Sequence, residues 1–358
     1  MRHLELFAGI GGFRRALDLL SEDNIMPFES VGYSEIDANA VKTYTVNYNP
    51  APNEVVLGDI VAFTADTDRI ANLPDFELLT GGFPCQTFSM MGKMAGFDED
   101  RGQMFFRILD ILRVKRPRYV LLENVKNLYT HDNKRTYQRI ELELHNLGYN
   151  VISGIVNTVD YSLPQKRSRV LIFASLEPIP QILGTSINST AVKEAFNNIV
   201  DNSSLITANS TVEILSKDVA QKYFLSERIK PTILSDGSRN FISNSEINQE
   251  IARTLTASMH KMHRACQDNY YSLDYIESDG KINPAKTKSK EELAKLPIRR
   301  LTPEEAFLLQ GFPAQFVTNA HNAGVSDGAL YKQAGNAVSV NAIYAVMYYL
   351  ISNNAIHE

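Results

Sequence analysis

The sequence predicts an α/β fold: an open, mostly parallel sheet with a smaller, irregular second domain. Three observations predict it. Strand-like and helix-like segments alternate through the first half of the chain, the pattern of strands joined by crossover helices. The first strand-like run ends in a glycine-rich turn that opens a helix, the starting unit of such sheets. After about Leu176 the periodicity fades into Ser-, Asn- and Thr-rich sequence, and order returns only at Arg299.

Residues 4–7 form a short apolar run that stops at Ala8-Gly9-Ile10-Gly11-Gly12. Phe13, Ala16, Leu17 and Leu20 then fall on one face of a helix. Further strands are expected at 30–34, 54–57, 76–80, 119–122 and 170–174. Several end in Gly, Asp or Glu, at the carboxyl edge where such sheets bind ligands. The lysine-containing stretch 281–290 reads as a solvated loop, with nucleic-acid contact the lesser alternative. Thr302-Pro303-Glu304-Glu305 is a helix start, with Thr302 as cap, Pro303 at the first position and Glu305 closing a capping box. Gly311 is the expected stop. Ile343, Val346, Met347, Leu350 and Ile351 form the apolar stripe of a core-facing helix. The expected domains are 1–176 plus 330–358, carrying the sheet, and 177–329.

The chain has 358 residues, 44% of them hydrophobic, enough for one large domain or two smaller ones. Its net charge of -5 argues mildly against a phosphate-binding surface, although a cleft can be locally basic on an acidic protein. The two cysteines, Cys85 and Cys266, match no metal-ligand spacing, so no metal and no disulfide framework are expected. No apolar run reaches membrane-spanning length. Met1-Arg2-His3-Leu4-Glu5 leads directly into a strand without a signal peptide. The expected location is the cytoplasm, or the nucleus in a eukaryote.

The turn Phe7-Ala8-Gly9-Ile10-Gly11-Gly12 lets a backbone approach a ligand at a helix N-terminus. Alone, it is an ordinary tight loop as readily as a cradle. Glu35 strengthens the case, because an acid at the end of the next strand can hold ribose hydroxyls. Asp59 follows another apolar run, as a cap or as a third polar group at that edge. The glycines lack the full dinucleotide fingerprint, so a single nucleoside fits as well as NAD. Gly81-Gly82-Phe83-Pro84-Cys85-Gln86 places a thiol in a stiff loop just past a strand end. A lone cysteine is usually an inert hydrophobe, but at the functional edge a nucleophile is the better reading. The glycine-punctuated stretch 88–102 reads as a lid. Glu123 ends an apolar strand, where burial would raise its pKa and suit it to donate a proton. In Gln165-Lys166-Arg167-Ser168-Arg169, the two arginines point the same way if the segment is extended, a pair suited to phosphate or a base carbonyl.

Taken in order, these segments resemble the DNA (cytosine-5) methyltransferase family of bacterial restriction-modification type. The resemblance runs through Phe7 to Gly12, Glu35-Ile36-Asp37, Gly58-Asp59-Ile60, Gly82 to Gln86, Glu123-Asn124-Val125, Gln165 to Arg169, Arg299-Arg300-Leu301-Thr302-Pro303 and Gln333-Ala334-Gly335-Asn336-Ala337-Val338. It covers about 1–175 and 299–350. It implies a Rossmann-like, S-adenosylmethionine-dependent methyltransferase domain with a mixed, mostly parallel sheet, and a variable target-recognition domain in the unmatched middle. It also implies that Phe7, Gly9, Gly11, Glu35, Ile36, Asp59, Ile60 and Asn336 form the cofactor shell. Glu35 would hold the ribose, and Ile36 and Ile60 the adenine. Cys85 would attack carbon 6 of a flipped-out cytosine in double-stranded DNA, Glu123 would act at N3 and Arg169 at O2, with Arg167 beside them. Gln86, Ser89, Arg239, Arg253 and Thr254 are the expected DNA contacts. An endonuclease acting on the same site, without a stable complex, and a monomeric state complete the expectation.

Competing readings keep or discard the chemistry. A branch of the same family methylates cytosine in tRNA, but the long middle region favours duplex reading. A non-catalytic, cofactor-binding relative would be free to lose Cys85, Glu123 and the arginines together. An NAD oxidoreductase leaves those groups unexplained.

Overall fold

The computed structural model describes residues 1–84, 104–238 and 241–358, except the side chains of Asp132, Asn133, Ser238 and Phe241. The chain divides into two compact units. The first comprises Met1–Asn157, Ser168–Leu205 and Ala342–Glu358, the second Thr158–Arg167 and Ile206–Asn341.

The first unit follows the predicted alternation. Strands β1 (Arg2–Leu6), β2 (Glu29–Tyr33), β3 (Val55–Val56), β4 (Leu78–Gly82) and β5 (Tyr119–Val125) are joined by helices α1 (Gly12–Glu22), α2 (Ala38–Tyr48), α3 (Ile60–Thr64), α4 (Thr67–Ala71) and α5 (Met104–Lys115). Helix α6 (Arg135–Asn146) and strand β6 (Asn150–Asn157) follow. The chain then contributes a two-residue strand, β7 (Gln165–Lys166), to the second unit and returns with β8 (Ser168–Ser175) and α7 (Ser189–Asn197). The seven-stranded sheet has the order β3-β2-β1-β4-β5-β8-β6. Pairs from β3 through β5 are parallel, and β8 runs antiparallel to both its neighbours. Leu4, Leu6, Leu79, Val120, Leu122, Val170 and Ile172 give the sheet its buried apolar face, covered by α5 and α6 through Phe105, Ile108, Leu112, Ile140 and Leu144.

Strand β6 is the one member of the seven-stranded sheet that the sequence reading left out. Gly154 interrupts its apolar alternation, and a Cβ there would lie 2.1 Å from the Ile187 carbonyl oxygen. The glycine admits a crossing chain, which bonds through Ile187 N–H to the Ser153 oxygen at 3.0 Å.

The second unit is built from short pieces. Its strands are β7, β9 (Gly237–Ser238), β10 (Phe241–Ile242), β11 (Ala252–Arg253), β12 (Tyr270–Ser272) and β13 (Ile298–Arg300), and its helices begin with α8 (Lys230–Leu234), α9 (Leu273–Glu277) and α10 (Lys290–Leu293). β7 pairs with β11, β9 with β10 and β12 with β13. Leu225, Ile233, Ile247, Tyr270, Leu293 and Ile298 form a core. The expected helix start holds. Thr302 caps α11 (Pro303–Leu308) in a capping box with Glu305, and Gly311 follows at φ 88. Glu305 also forms a buried ion pair with Arg299 at 2.7 Å, so one carboxylate serves both the cap and the strand before it. Helices α12 (Gln315–Asn322), α13 (Asp327–Asn336) and α14 (Val340–Ser352) complete the chain.

The unit boundaries differ from the expected 176 and 330. Residues 177–205 join the first unit because α7 packs against β6. Residues 158–167 join the second because β7 pairs with β11. Contrary to the expectation of no membrane-length apolar stretch, Asp327–Ser352 reaches that class by length and composition, but 78% of its apolar window is buried.

Candidate active site

The carboxyl ends of β1, β2, β4 and β5 carry most of the predicted groups. After β1 the chain turns through left-handed residues: Phe7 at φ 55, Gly9 at φ 57 and Gly11 at φ 79. Phe7 is a non-glycine residue held in that region, and the hydrogen bonds around it explain how. Ala8 N–H donates to the Ser34 oxygen and Gly11 N–H to the Ala8 oxygen, both at 2.8 Å. Gly9 N–H donates to Glu35 Oε2 at 2.8 Å. Gly11 has no space for a side chain, since a Cβ would meet the Tyr48 ring at 2.4 Å. The Tyr48 hydroxyl instead donates to the Gly11 oxygen at 2.5 Å. The turn therefore stands preformed at the N-terminus of α1.

Glu35 follows β2, and its other oxygen accepts from Ile36 N–H and Asp37 N–H, both at 2.7 Å. Beside it Ile36 is 74% exposed, an apolar side chain held out at a polar edge. Asp59 is exposed and caps α3 by accepting from Val61 N–H at 2.9 Å. Ile60 departs from expectation. Its side chain is buried in the core with Leu57 and Phe63, whereas that of Ile36 is exposed. Asn336 is exposed at the end of α13, in the second unit.

β4 and β5 place the reactive groups. Gly82 is registered opposite Glu123. Asn124, buried beside it, donates to the Phe83 oxygen at 2.8 Å and accepts from Val125 N–H at 2.8 Å. The loop leading to Cys85 is thus tied to the strand that carries Glu123. Cys85, Gln86, Ser89, the stretch 88–102 and Arg239 lie outside the described residues. In the antiparallel β5–β8 pair, Val125 faces Arg169 and Glu123 faces Leu171. The side-chain period of two puts Arg169 and Glu123 diagonally on one face. Arg169 Nε lies 2.8 Å from Glu123 Oε1, with both side chains largely buried. Arg169 Nη1 donates to the Ser168 oxygen at 2.8 Å.

Arg167 does not share that arrangement. It is 2% exposed and its guanidinium donates to the oxygens of Leu255 at 3.1 Å, Gly335 at 3.1 Å and Ala337 at 2.7 Å. The expected side-by-side arginine pair is absent because Arg167 precedes β8 and is bound to main-chain carbonyls of the second unit. There too, Arg253 is half-buried with its guanidinium 3.9 Å from Glu246, and the Thr254 hydroxyl donates to the Lys166 oxygen.

Sequence reasoning gave no role to Asn124, although it lies inside a quoted motif, nor to Glu5. Glu5 sits on β1 beneath the glycine turn, 1% exposed, accepting from Phe13 N–H at 3.3 Å. Burial pushes its carboxyl up to about 8. An acid in an apolar strand was its only signal. Cys266 is a free, half-buried thiol. Among the described residues, no group of three or more His, Cys, Asp or Glu could hold a metal.

Residues 1–352 match the family model for C-5 cytosine-specific DNA methylases. The chain is 35% identical to the Type II methyltransferase M1.ScrFI of Lactococcus lactis subsp. cremoris, over 96% of this chain and 76% of that one. It is 32% identical to the Type II methyltransferase M.HaeII of Haemophilus aegyptius, over 98% and 92%. In structure it resembles the Entamoeba histolytica methyltransferase EhMeth, with a TM-score of 0.73 at 19% identity, covering 100% of this chain and 99% of that one. At that identity the likeness speaks for the fold.

Proposed function

Because the chain belongs to the C-5 cytosine-specific DNA methylases, we propose that it methylates one defined site in double-stranded DNA through covalent catalysis by Cys85. The enzyme transfers a methyl group from S-adenosylmethionine to carbon 5 of cytosine. The observation that carries the mechanistic reading is the Glu123–Arg169 pair, held at 2.8 Å across β5 and β8, with β5 next to the strand that leads to Cys85.

The residues fit the cofactor. Phe7, Gly9 and Gly11 would receive its amino-acid end at the preformed turn, Glu35 its ribose, and Ile36 and Asp59 its base, with Asn336 carried over from the family motif. When bound, S-adenosylmethionine supplies an electrophilic methyl group. The protein must make the cytosine nucleophilic. Carbon 5 is unreactive in the aromatic ring. Addition of the Cys85 thiolate to carbon 6 breaks the 5,6 double bond and gives an enamine that is nucleophilic at carbon 5. Glu123 offsets the charge that develops on the ring by holding a proton at N3, and Arg169 donates to O2. Their mutual contact fixes both side chains before the base arrives, the preorganisation that such stabilisation needs. Loss of the carbon 5 proton and expulsion of the thiolate restore the double bond. Carbon 6 is covered in a stacked duplex, so the base must leave the helix. Target reading falls to the second unit, through Arg253 and Thr254 with Arg239, and Gln86 and Ser89 contact DNA beside the nucleophile. The enzyme acts as a monomer in a bacterial cytoplasm, paired in function with an endonuclease of the same specificity.

The test uses methyl-labelled S-adenosylmethionine with mixed-sequence duplex DNA and, separately, bulk tRNA. Label in DNA that disappears with Cys85→Ala is the expected result, and bisulfite sequencing then reads the site. Label in tRNA alone would overturn the DNA reading. Undiminished label with Cys85→Ala would overturn the covalent mechanism.

A further inference from the structure

We propose that Arg167 is a positioning residue for target recognition: its guanidinium fixes the main chain that presents Arg253 and Thr254 to DNA, and it takes no part in the chemistry on the base. The inference rests on the reading that Arg253 and Thr254 contact DNA.

The segment from Arg253 to Ala257 has almost no regular structure to hold it. Its ladder with β7 ends after two pairs, Ala252 with Gln165 and Arg253 with Lys166. Beyond that point side chains replace the ladder. Gln165 Oε1 accepts from Leu255 N–H at 3.0 Å, and Arg167 donates to the oxygen of the same residue at 3.1 Å. Residues 165 and 167, two apart, thus grip both main-chain polar groups of one residue. The Asn269 side chain does the same for Arg253, accepting from its N–H at 2.8 Å and donating to its oxygen at 3.1 Å. The backbone of the segment is held while the Arg253 side chain remains partly open to solvent.

The guanidinium then ties this segment to a second one. Two further bonds go to Gly335 and Ala337, at the end of α13. Gly335 itself lies against the same stretch, since a Cβ there would stand 2.2 Å from the Thr256 carbonyl carbon and 2.3 Å from Ala257 N. A planar fork with several fixed donors suits a three-carbonyl junction, and an ammonium cannot reproduce its reach. Three of the guanidinium's hydrogen bonds are thereby committed to main-chain carbonyls.

The experiment measures kcat and DNA KM for Arg167→Lys, Gly335→Ala, Arg253→Ala and the Arg167→Lys/Arg253→Ala double variant, with melting temperature as the folding control. We expect Arg167→Lys and Gly335→Ala to raise DNA KM roughly tenfold, the scale of a lost base or phosphate contact, with kcat at saturating DNA nearly unchanged. The double variant should be no worse than about the larger single effect, because both act on one contact. Should Arg167→Lys fail to fold, Gln165→Leu, which frees the Leu255 N–H together with the Leu309 oxygen, carries the same expectation. A fall in kcat with unchanged DNA KM would place Arg167 in the chemistry and overturn the proposal. Strictly multiplicative KM effects in the double variant would also overturn it. If Arg253→Ala weakens DNA but neither Arg167→Lys nor Gly335→Ala does, the positioning role fails alone. If Arg253→Ala has no effect on DNA, the underlying assignment of the segment fails.

Discussion

A carboxyl group at 1% exposure beneath the glycine turn is held neutral, because ionising it there costs more than the Phe13 N–H and the Arg14 charge return. The charged and titratable groups around Glu5 are Arg14 and Asp18 on α1 and Tyr44 and Tyr48 on α2. Its folded value of about 8 lies above the ordinary 4.5. The unfolded chain therefore releases this proton first as pH rises. The stability linked to Glu5 is complete below about 4.5 and is lost progressively up to about 8. Glu5→Gln keeps the neutral shape and removes the titration. Its melting temperature should fall less than that of the natural protein between pH 5.5 and 8.5, and parallel curves would refute the assignment. His3, on the same face of β1, has the opposite sign. Burial lowers it to about 3, so its contribution is lost as pH falls below 6.5. At the Glu123–Arg169 pair, Glu123→Gln keeps the hydrogen-bond geometry and removes the acid. We expect kcat to drop by roughly 10²–10⁴ while S-adenosylmethionine binding, followed by calorimetry, stays near the natural value. A kcat within twofold would remove Glu123 from the mechanism.

Among the elements, β5 does two tasks at once, and Asn124 separates them. Its neighbour Glu123 pairs with Arg169, while its own amide ties the loop at Phe83 to the strand. Asn124→Ala leaves a buried carbonyl without that donor, a loss of about 1–3 kcal/mol. It should lower kcat with little change in S-adenosylmethionine affinity, and an unaltered kcat would show that the loop is positioned by other means. The elements most legible in the sequence were those whose local signals agreed with their surroundings. The runs expected at 4–7, 76–80 and 119–122 became β1, β4 and β5, strands buried on both faces, and Thr302 with Glu305 forms the capping box its spacing announced. β6 was hidden because Gly154 answers to Ile187, a residue far along the chain. The placement of the candidate groups was legible to a similar depth, because Glu35, Glu123 and Arg169 lie at or near strand ends and Asp59 caps the helix after β3, where a one-dimensional reading can place them. The burial of Ile60 was not legible, because its side chain turns into the core one residue past a cap. Arg167 was misread because extended spacing from Arg169 holds only while the two share a strand, and β8 begins at Ser168.

At the scale of the whole chain, the first unit is discontinuous, and its last segment is the one that closes it. Ala342–Glu358 returns after the entire second unit has been made. Ile343, Val346, Met347, Leu350 and Ile356 on this segment are all at most 2% exposed. Burying five such side chains contributes roughly 8–15 kcal/mol at about 1.5–3 kcal/mol each. That is comparable with the entire net stability of an ordinary domain. Polar contacts fix the docking. The Tyr344 hydroxyl donates to Asp23 at 2.7 Å, and His357 lies 3.0 Å from Glu177. The first unit can therefore complete its core only after the final helix is available, even though β1, the glycine turn and α1 come first in sequence. A chain ending at Asn341 retains Phe7, Glu35, Glu123 and Arg169, yet it should show no cooperative thermal transition and no S-adenosylmethionine binding by calorimetry. Supplying residues 342–358 as a separate peptide should restore part of both. Cooperative melting and natural cofactor affinity in the truncated chain would instead mean that the sheet and its covering helices suffice, and that the closing segment adds stability without being required for the site.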